Sequence, residues 1–123
     1  MSKMDDNIIA QKSFAFAVRC VNLYKYLYYN APSKEFVISK QLLRSGTSIG
    51  ANIEEALGGQ STADFVSKLS IAYKEARESS YWLRLLHATD YISDKEYDSL
   101  QKDLDDILNI IAKIQITTKK NNS

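Results

Sequence analysis

Cysteine, proline, glycine and histidine are all scarce in this chain of 123 residues, which holds one Cys, one Pro, four Gly and one His. A lone thiol, Cys20, excludes an intramolecular disulfide. So few turn residues argue against a β-rich fold with its many tight turns. One His and one Cys cannot supply a zinc site of the usual ligand count. A di-iron bundle needs Glu-x-x-His pairs, yet Arg84 stands three residues before His87. Long apolar runs are missing too: the early "FAFAV" is cut by Arg19, far short of the ~18 apolar residues of a membrane span. The opening "MSKMDD" lacks the cationic and apolar run of a secretory signal, so a reducing, cytoplasmic setting with no membrane is expected.

The formal net charge is only +1, but it is unevenly distributed. Residues 1–50 hold seven Lys/Arg against three Asp/Glu, and residues 51–112 hold six against twelve. The asymmetry permits a basic patch from Lys12, Arg19, Lys25, Lys40 and Arg44, although it falls short of the strongly basic balance of a dedicated nucleic-acid binder. Differently charged solvated faces are the ordinary reading.

What is present is helical pattern. Ser33 follows Pro32 as a helix cap, and "STAD" and "SDKE" set Ser61 and Ser93 three residues before a carboxylate, the capping-box spacing. With a first helix opening between Asp5 and Asn7, these signals predict four helices over about 6–30, 34–58, 62–91 and 94–117, and a disordered tail over about 118–123. Short loops favour antiparallel neighbours, so the expected fold is all-α, an up-down-up-down four-helix bundle in a single domain over 1–123. Tyr97, Leu100, Leu104, Ile107, Ile111 and Ile114 recur at steps of three and four, as in coiled-coil packing. Phe65, Leu69, Ala72, Ala76, Ser80, Leu83 and His87 do the same one helix earlier. That helix has a second apolar set, Ile71, Trp82 and Leu85, roughly opposite the first. The first helix also has two stripes: Phe14, Val18, Val21, Tyr24 and Tyr28, and Ile9, Phe16, Cys20, Leu23 and Leu27. One core cannot bury opposite faces, so self-association is expected.

The segment "RSGTSIGANIEEALGG" places Gly46 and Gly50 inside a helical register kept by Ile38, Leu42, Ile49, Ile53 and Ala56. Two interior glycines cost about 1 kcal/mol each relative to Ala unless packing compensates. Lacking a Cβ, they let a neighbouring backbone approach closely. A phosphate-cradling loop is the sharper alternative, but no strand precedes the segment and no Lys follows the second Gly. On the other flank Gln41, Ser48 and Asn52 are placed to hydrogen-bond across a helix contact.

No catalytic constellation assembles, so no enzyme activity, cofactor or metal is expected. His87, with Asp90 three residues on, reads as a hydrogen-bonded structural histidine, and Glu75 and Glu78 beside Lys74 and Arg77 read as surface or intersubunit ion pairs. In "YKYLYYN", residues 24–30, Tyr24 and Tyr28 share one stripe and are expected in the core. Tyr26 and Tyr29 remain for a subunit contact, or for base stacking beside Lys25.

"RSGTSIGANIEEA", followed by "DFVSKLSIAYKEARESSYWLRLL" and "YIS", resembles the four-helix-bundle family whose founding members are encoded in intervening sequences of bacterial 23S ribosomal RNA genes. The resemblance covers about residues 12–114. Its strongest part is the pattern Arg44, Ser48, Ile49, Asn52, Ile53 and Glu55 with Phe65, Leu69, Ala72 and Glu78. It implies a small antiparallel bundle, ribosomal association and a ring-like homopentamer; a related branch, the accessory protein of diversity-generating retroelements, binds nucleic acid and a reverse transcriptase. Where many members read closer to "AEGxGR", this chain has "EEALGGQ", with Gln60 in place of the basic residue. Two functions are therefore expected from different classes: a homo-oligomeric module associated with RNA or DNA, or an oligomeric protein-interaction scaffold without nucleic acid.

Overall fold

The structure, a computed structural model, describes residues 3–30, 32 and 34–121, with side chains from Asp6 onward. Its helices are α1 (Lys3–Tyr29), α2 (Ile38–Leu57), α3 (Thr62–Ala88) and α4 (Asp94–Asn121). Each helix packs on the next and α4 returns to α1, while no Cα atoms of the diagonal pairs α1/α3 and α2/α4 come within 8 Å of each other. The fold is an up-down-up-down bundle with one core at its centre.

Each helix contributes one stripe to that core. Phe16, Cys20 and Leu27 of α1 meet Leu42, Ile49 and Ile53 of α2, Leu69, Ala76 and Leu83 of α3, and Leu104, Ile107 and Ile111 of α4, all buried. Of the two stripes on α1, the one containing Ile9, Phe16, Cys20, Leu23 and Leu27 faces inward. Tyr24 and Tyr28 are therefore not core residues as expected: Tyr28 is exposed and Tyr24 only half-buried. On α3 the seam runs through Ser79 and Leu86 rather than Ser80 and His87, continuing the three-four stepping from Leu69. Ser79 is tolerated inside because its hydroxyl donates to Glu75 O at 2.9 Å and meets Ser45 Oγ of α2 at 2.8 Å.

Helix ends explain where the expected boundaries shift. Ser33 lies outside the described residues, and α2 begins at Ile38 instead of near residue 34. Lys34 takes a left-handed φ of 39°, which a helix cannot continue through. The N-terminus of α2 is held by Glu35, whose buried carboxylate accepts the backbone N–H groups of Val37, Ile38 and Ser39 at 2.7 to 2.8 Å. At Ser93, both halves of a capping box form with Glu96, and Ser61 Oγ accepts from Asp64 N. Helix α3 stops at Ala88, short of residue 91, because Asp90 adopts φ 66°; Asp90 N and Tyr91 N return to His87 O and Leu86 O, the double bond of a Schellman motif. Residues 118–121, expected in a disordered tail, are the last turn of α4, where Lys119 and Lys120 complement the negative end of the helix dipole.

Candidate functional site

Five basic residues were expected to form a patch, and the structure divides them between opposite sides of the bundle. On the α1/α4 side, Lys12 Nζ lies 3.6 Å from Asp106 Oδ2 and Arg19 Nη1 lies 2.6 Å from Asp103 Oδ2. Arg19 also donates to Ser99 Oγ at 3.0 Å. On the α2/α3 side, Arg44 pairs with Glu78 and lies 3.5 Å from Glu75 Oε2, an otherwise unpartnered buried oxygen. Glu75 and Glu78 thus face α2, and Lys74 and Arg77 are not their partners. Trp82 Nε1 donates to the same Glu78 oxygen at 3.0 Å, closing an Arg44–Glu78–Trp82 chain. Lys25 and Lys40 are exposed and make no ion pair among the described residues. Three of the five expected cations are therefore consumed within the chain, the acids of α3 and α4 meeting bases of α1 and α2.

The residues expected at helix contacts also separate. Gly46 is buried under α1, where a Cβ would meet Cys20 Sγ at 2.4 Å and Phe16 Cε2 at 3.4 Å. Burial pushes the Cys20 thiol up to about 12, against the opposing pull of nearby Arg19. At Gly50 the nearest atom is Ser13 O, at 3.5 Å, an ordinary contact. Asn52 is buried, but its amide donates to Ser48 O and Ser48 Oγ of its own helix, at 2.9 and 3.1 Å, instead of reaching across as expected. Trp82 packs half-buried against the core, Leu85 is half-buried, and Ile71 is 39% exposed.

Beyond these, the surface keeps apolar groups that the core does not use. Phe14 is 70% and Val18 43% exposed on the outer face of α1. Phe14 stands at the rim of a groove of about 280 Å³ between α1 and α2, lined by Ala10, Ala17, Gly50 and Ala51. At the α1–α2 corner, Tyr28 packs against Tyr29 and Phe36, with centroids 4.8 and 5.7 Å away, all three exposed. The single histidine is structural in its surroundings: His87 stacks on Tyr97 at 4.4 Å and Nε2 meets Asp94 Oδ1 at 2.6 Å. Asp94 replaces the expected Asp90 because Asp90 is turned away into the left-handed helix terminus. No group of three or more His, Cys, Asp and Glu among the described residues could hold a metal, and no described helix is long and apolar enough to cross a membrane.

Arg77 and Arg84, exposed on α3, were not among the basic residues singled out from the sequence. Glu75 and Glu78 flank Arg77 in sequence, and only the pairing of these acids with Arg44 leaves Arg77 without an ionic partner among the described residues.

The family profile described as 23S rRNA-intervening sequence protein matches residues 5–113. The chain belongs to that family. Consistent with this membership, the fold is similar to a crystal structure of a protein of unknown function from the S23 ribosomal protein family of Bacteroides thetaiotaomicron. The TM-score is 0.86 and the identity 54%, over 90% of this chain and 97% of that one. No curated protein matches the chain. Of the residues that carry the family resemblance, Arg44 and Glu78 pair across the α2/α3 seam, while Asn52 bonds within α2.

Proposed function

We propose that the protein works in the cytoplasm as a non-catalytic, self-assembling helical module that associates with RNA. One observation supports assembly above the rest. A single chain fills its core with one stripe per helix, yet apolar side chains remain on the outer faces of α1 (Phe14, Val18) and α3 (Ile71, Leu85). These helices lie on opposite corners of the bundle, with no Cα atoms within 8 Å of each other. A two-fold dimer uses the same patch twice, whereas two unlike patches facing apart join head to tail, which closes into a ring when the rotation permits. The homopentamer implied by the family resemblance sets the expected number at five. Light scattering on eluted protein tests this: Phe14→Glu should reduce the particle to a monomer while its helical circular dichroism is retained, and an unchanged mass would remove α1 from the contact.

RNA association draws its support from membership in a family described by a ribosomal RNA intervening sequence. Binding that displaces counterions from phosphates should weaken steeply between ~50 and ~200 mM salt. The pairing of Lys12, Arg19 and Arg44 within the chain favours a second reading, a protein-interaction scaffold with no nucleic-acid role. Failure of structured RNA and duplex DNA alike to shift the protein at low salt would select it.

A further inference from the structure

The ion pairs that neutralise α1 and α2 have a converse on the other side of the bundle. Asp103 and Asp106 of α4 are engaged by Arg19 and Lys12, and Glu75 and Glu78 of α3 by Arg44. Lys74, Arg77 and Arg84 of α3 are consequently left with no ion pair among the described residues. Arg77 and Arg84 are exposed and line an open groove of about 840 Å³ between α3 and α4. Seven residues apart on one helix, their Cα atoms are separated by about 10 Å along the axis.

The lining is polar and suited to a phosphorylated, hydrogen-bonding strand. Asn109 offers an amide that both donates and accepts, Ser80 Oγ donates to Gln101 Oε1 at 3.1 Å and keeps its lone pairs to accept, and Tyr73 closes the inner wall against the core. Tyr81 is 50% exposed on the same helix, with the Arg84 guanidinium 5.8 Å from its ring centroid. Two acids belong to the lining. Glu78 is committed to Arg44 and Trp82, and Asp105 accepts from Gln101 Nε2 at 3.0 Å. Asp98, a turn before Gln101, is exposed outside the lining. Cations spaced along a groove with an aromatic ring beside them are how a protein holds a single nucleic-acid strand without reading its sequence: guanidinium forks take phosphates and the ring stacks a base.

We infer that this α3/α4 groove is a binding site for the phosphodiester backbone of single-stranded RNA, with Arg77 and Arg84 on successive phosphate positions and Tyr81 as the stacking surface. The inference rests on the RNA-association reading above and moves its site away from the first half of the chain. Asp105 opposes the ligand's charge, so it tunes the site downward.

Fluorescence anisotropy with a labelled, unstructured oligouridine at low salt tests it on the full chain. Arg77→Ala with Arg84→Ala should weaken binding about tenfold or more, and should flatten the log–log salt dependence by roughly 1.4, two contacts of about 0.7 each. Asp105→Asn should tighten binding, and Lys25→Ala with Lys40→Ala should leave it unchanged. Circular dichroism and thermal melting of each variant establish that it is folded. Wild-type binding that the double arginine variant retains would overturn the site and leave RNA association standing. Absence of wild-type binding would overturn both. Tighter binding of an RNA duplex than of the single strand would overturn the assignment of a stacked strand.

Discussion

The sulfur of Cys20 occupies the space where a side chain at position 46 would begin, since a Cβ built on Gly46 falls 2.4 Å from Cys20 Sγ. This contact lets α1 and α2 approach closely, and it separates two glycines that look equivalent in sequence. Gly46→Ala should overpack the contact and destabilise the protein by about 1 to 3 kcal/mol. Gly50→Ala meets Ser13 no closer than 3.5 Å, an ordinary contact, so the helix-propensity gain of about 1 kcal/mol should make it neutral or stabilising. Combining Gly46→Ala with Cys20→Ala should cost less than the two changes summed, because the smaller side chain vacates the collision. Urea denaturation of the four variants checks the pattern; a Gly46→Ala protein as stable as wild type would remove the close-packing account.

The four helices and the α4 seam were legible because apolar residues at three-four spacing need no partner to be recognised. Leu100, Leu104, Ile107, Ile111 and Ile114 are buried where the period puts them. The inward face of α1 was not legible. Its two stripes are equally apolar, and Phe16 and Cys20 face inward because Gly46 leaves room opposite them. The Ser45–Ser79 hydrogen bond had no signal either, since each serine looks solvated until the other helix is in place. The ion pairs were least legible of all: Arg19 and Arg44 lie far in sequence from the acids that engage them, and local composition cannot report that pairing.

Glu35 should make stability fall at acid pH. Burial disfavours its charged form, but the backbone N–H groups of Ile38, Ser39 and Val37 outweigh that and hold its carboxyl below the ordinary value of 4.5. A depressed folded-state value means the contribution is fully present above the unfolded-state value and is lost as pH falls through the folded one. Glu35→Ala removes the cap and should cost about 1 to 2 kcal/mol near neutral pH. The variant's deficit should shrink as the pH drops below 4.5. Thermal melts of both proteins across that range check it, and a deficit independent of pH would show that the carboxylate charge does not hold the helix.

Asp90 sits at φ 66° at the end of α3, where a Cβ is strained. Asp90→Gly should therefore stabilise the protein by about 1 kcal/mol through the same Schellman hydrogen bonds. Asp90→Val should do the reverse. A melting temperature lowered by the glycine would mean that the aspartate side chain holds this corner by some interaction other than its backbone geometry.

Sedimentation equilibrium on the wild-type protein, run over a wide concentration range, tests self-assembly most directly. Two unlike apolar faces on α1 and α3 that close on themselves predict one species of fixed mass, greater than a dimer and near five copies of the 14.0 kDa chain. A monomer throughout the micromolar range would contradict the account, and so would a mass that keeps rising with concentration, the behaviour of an open filament.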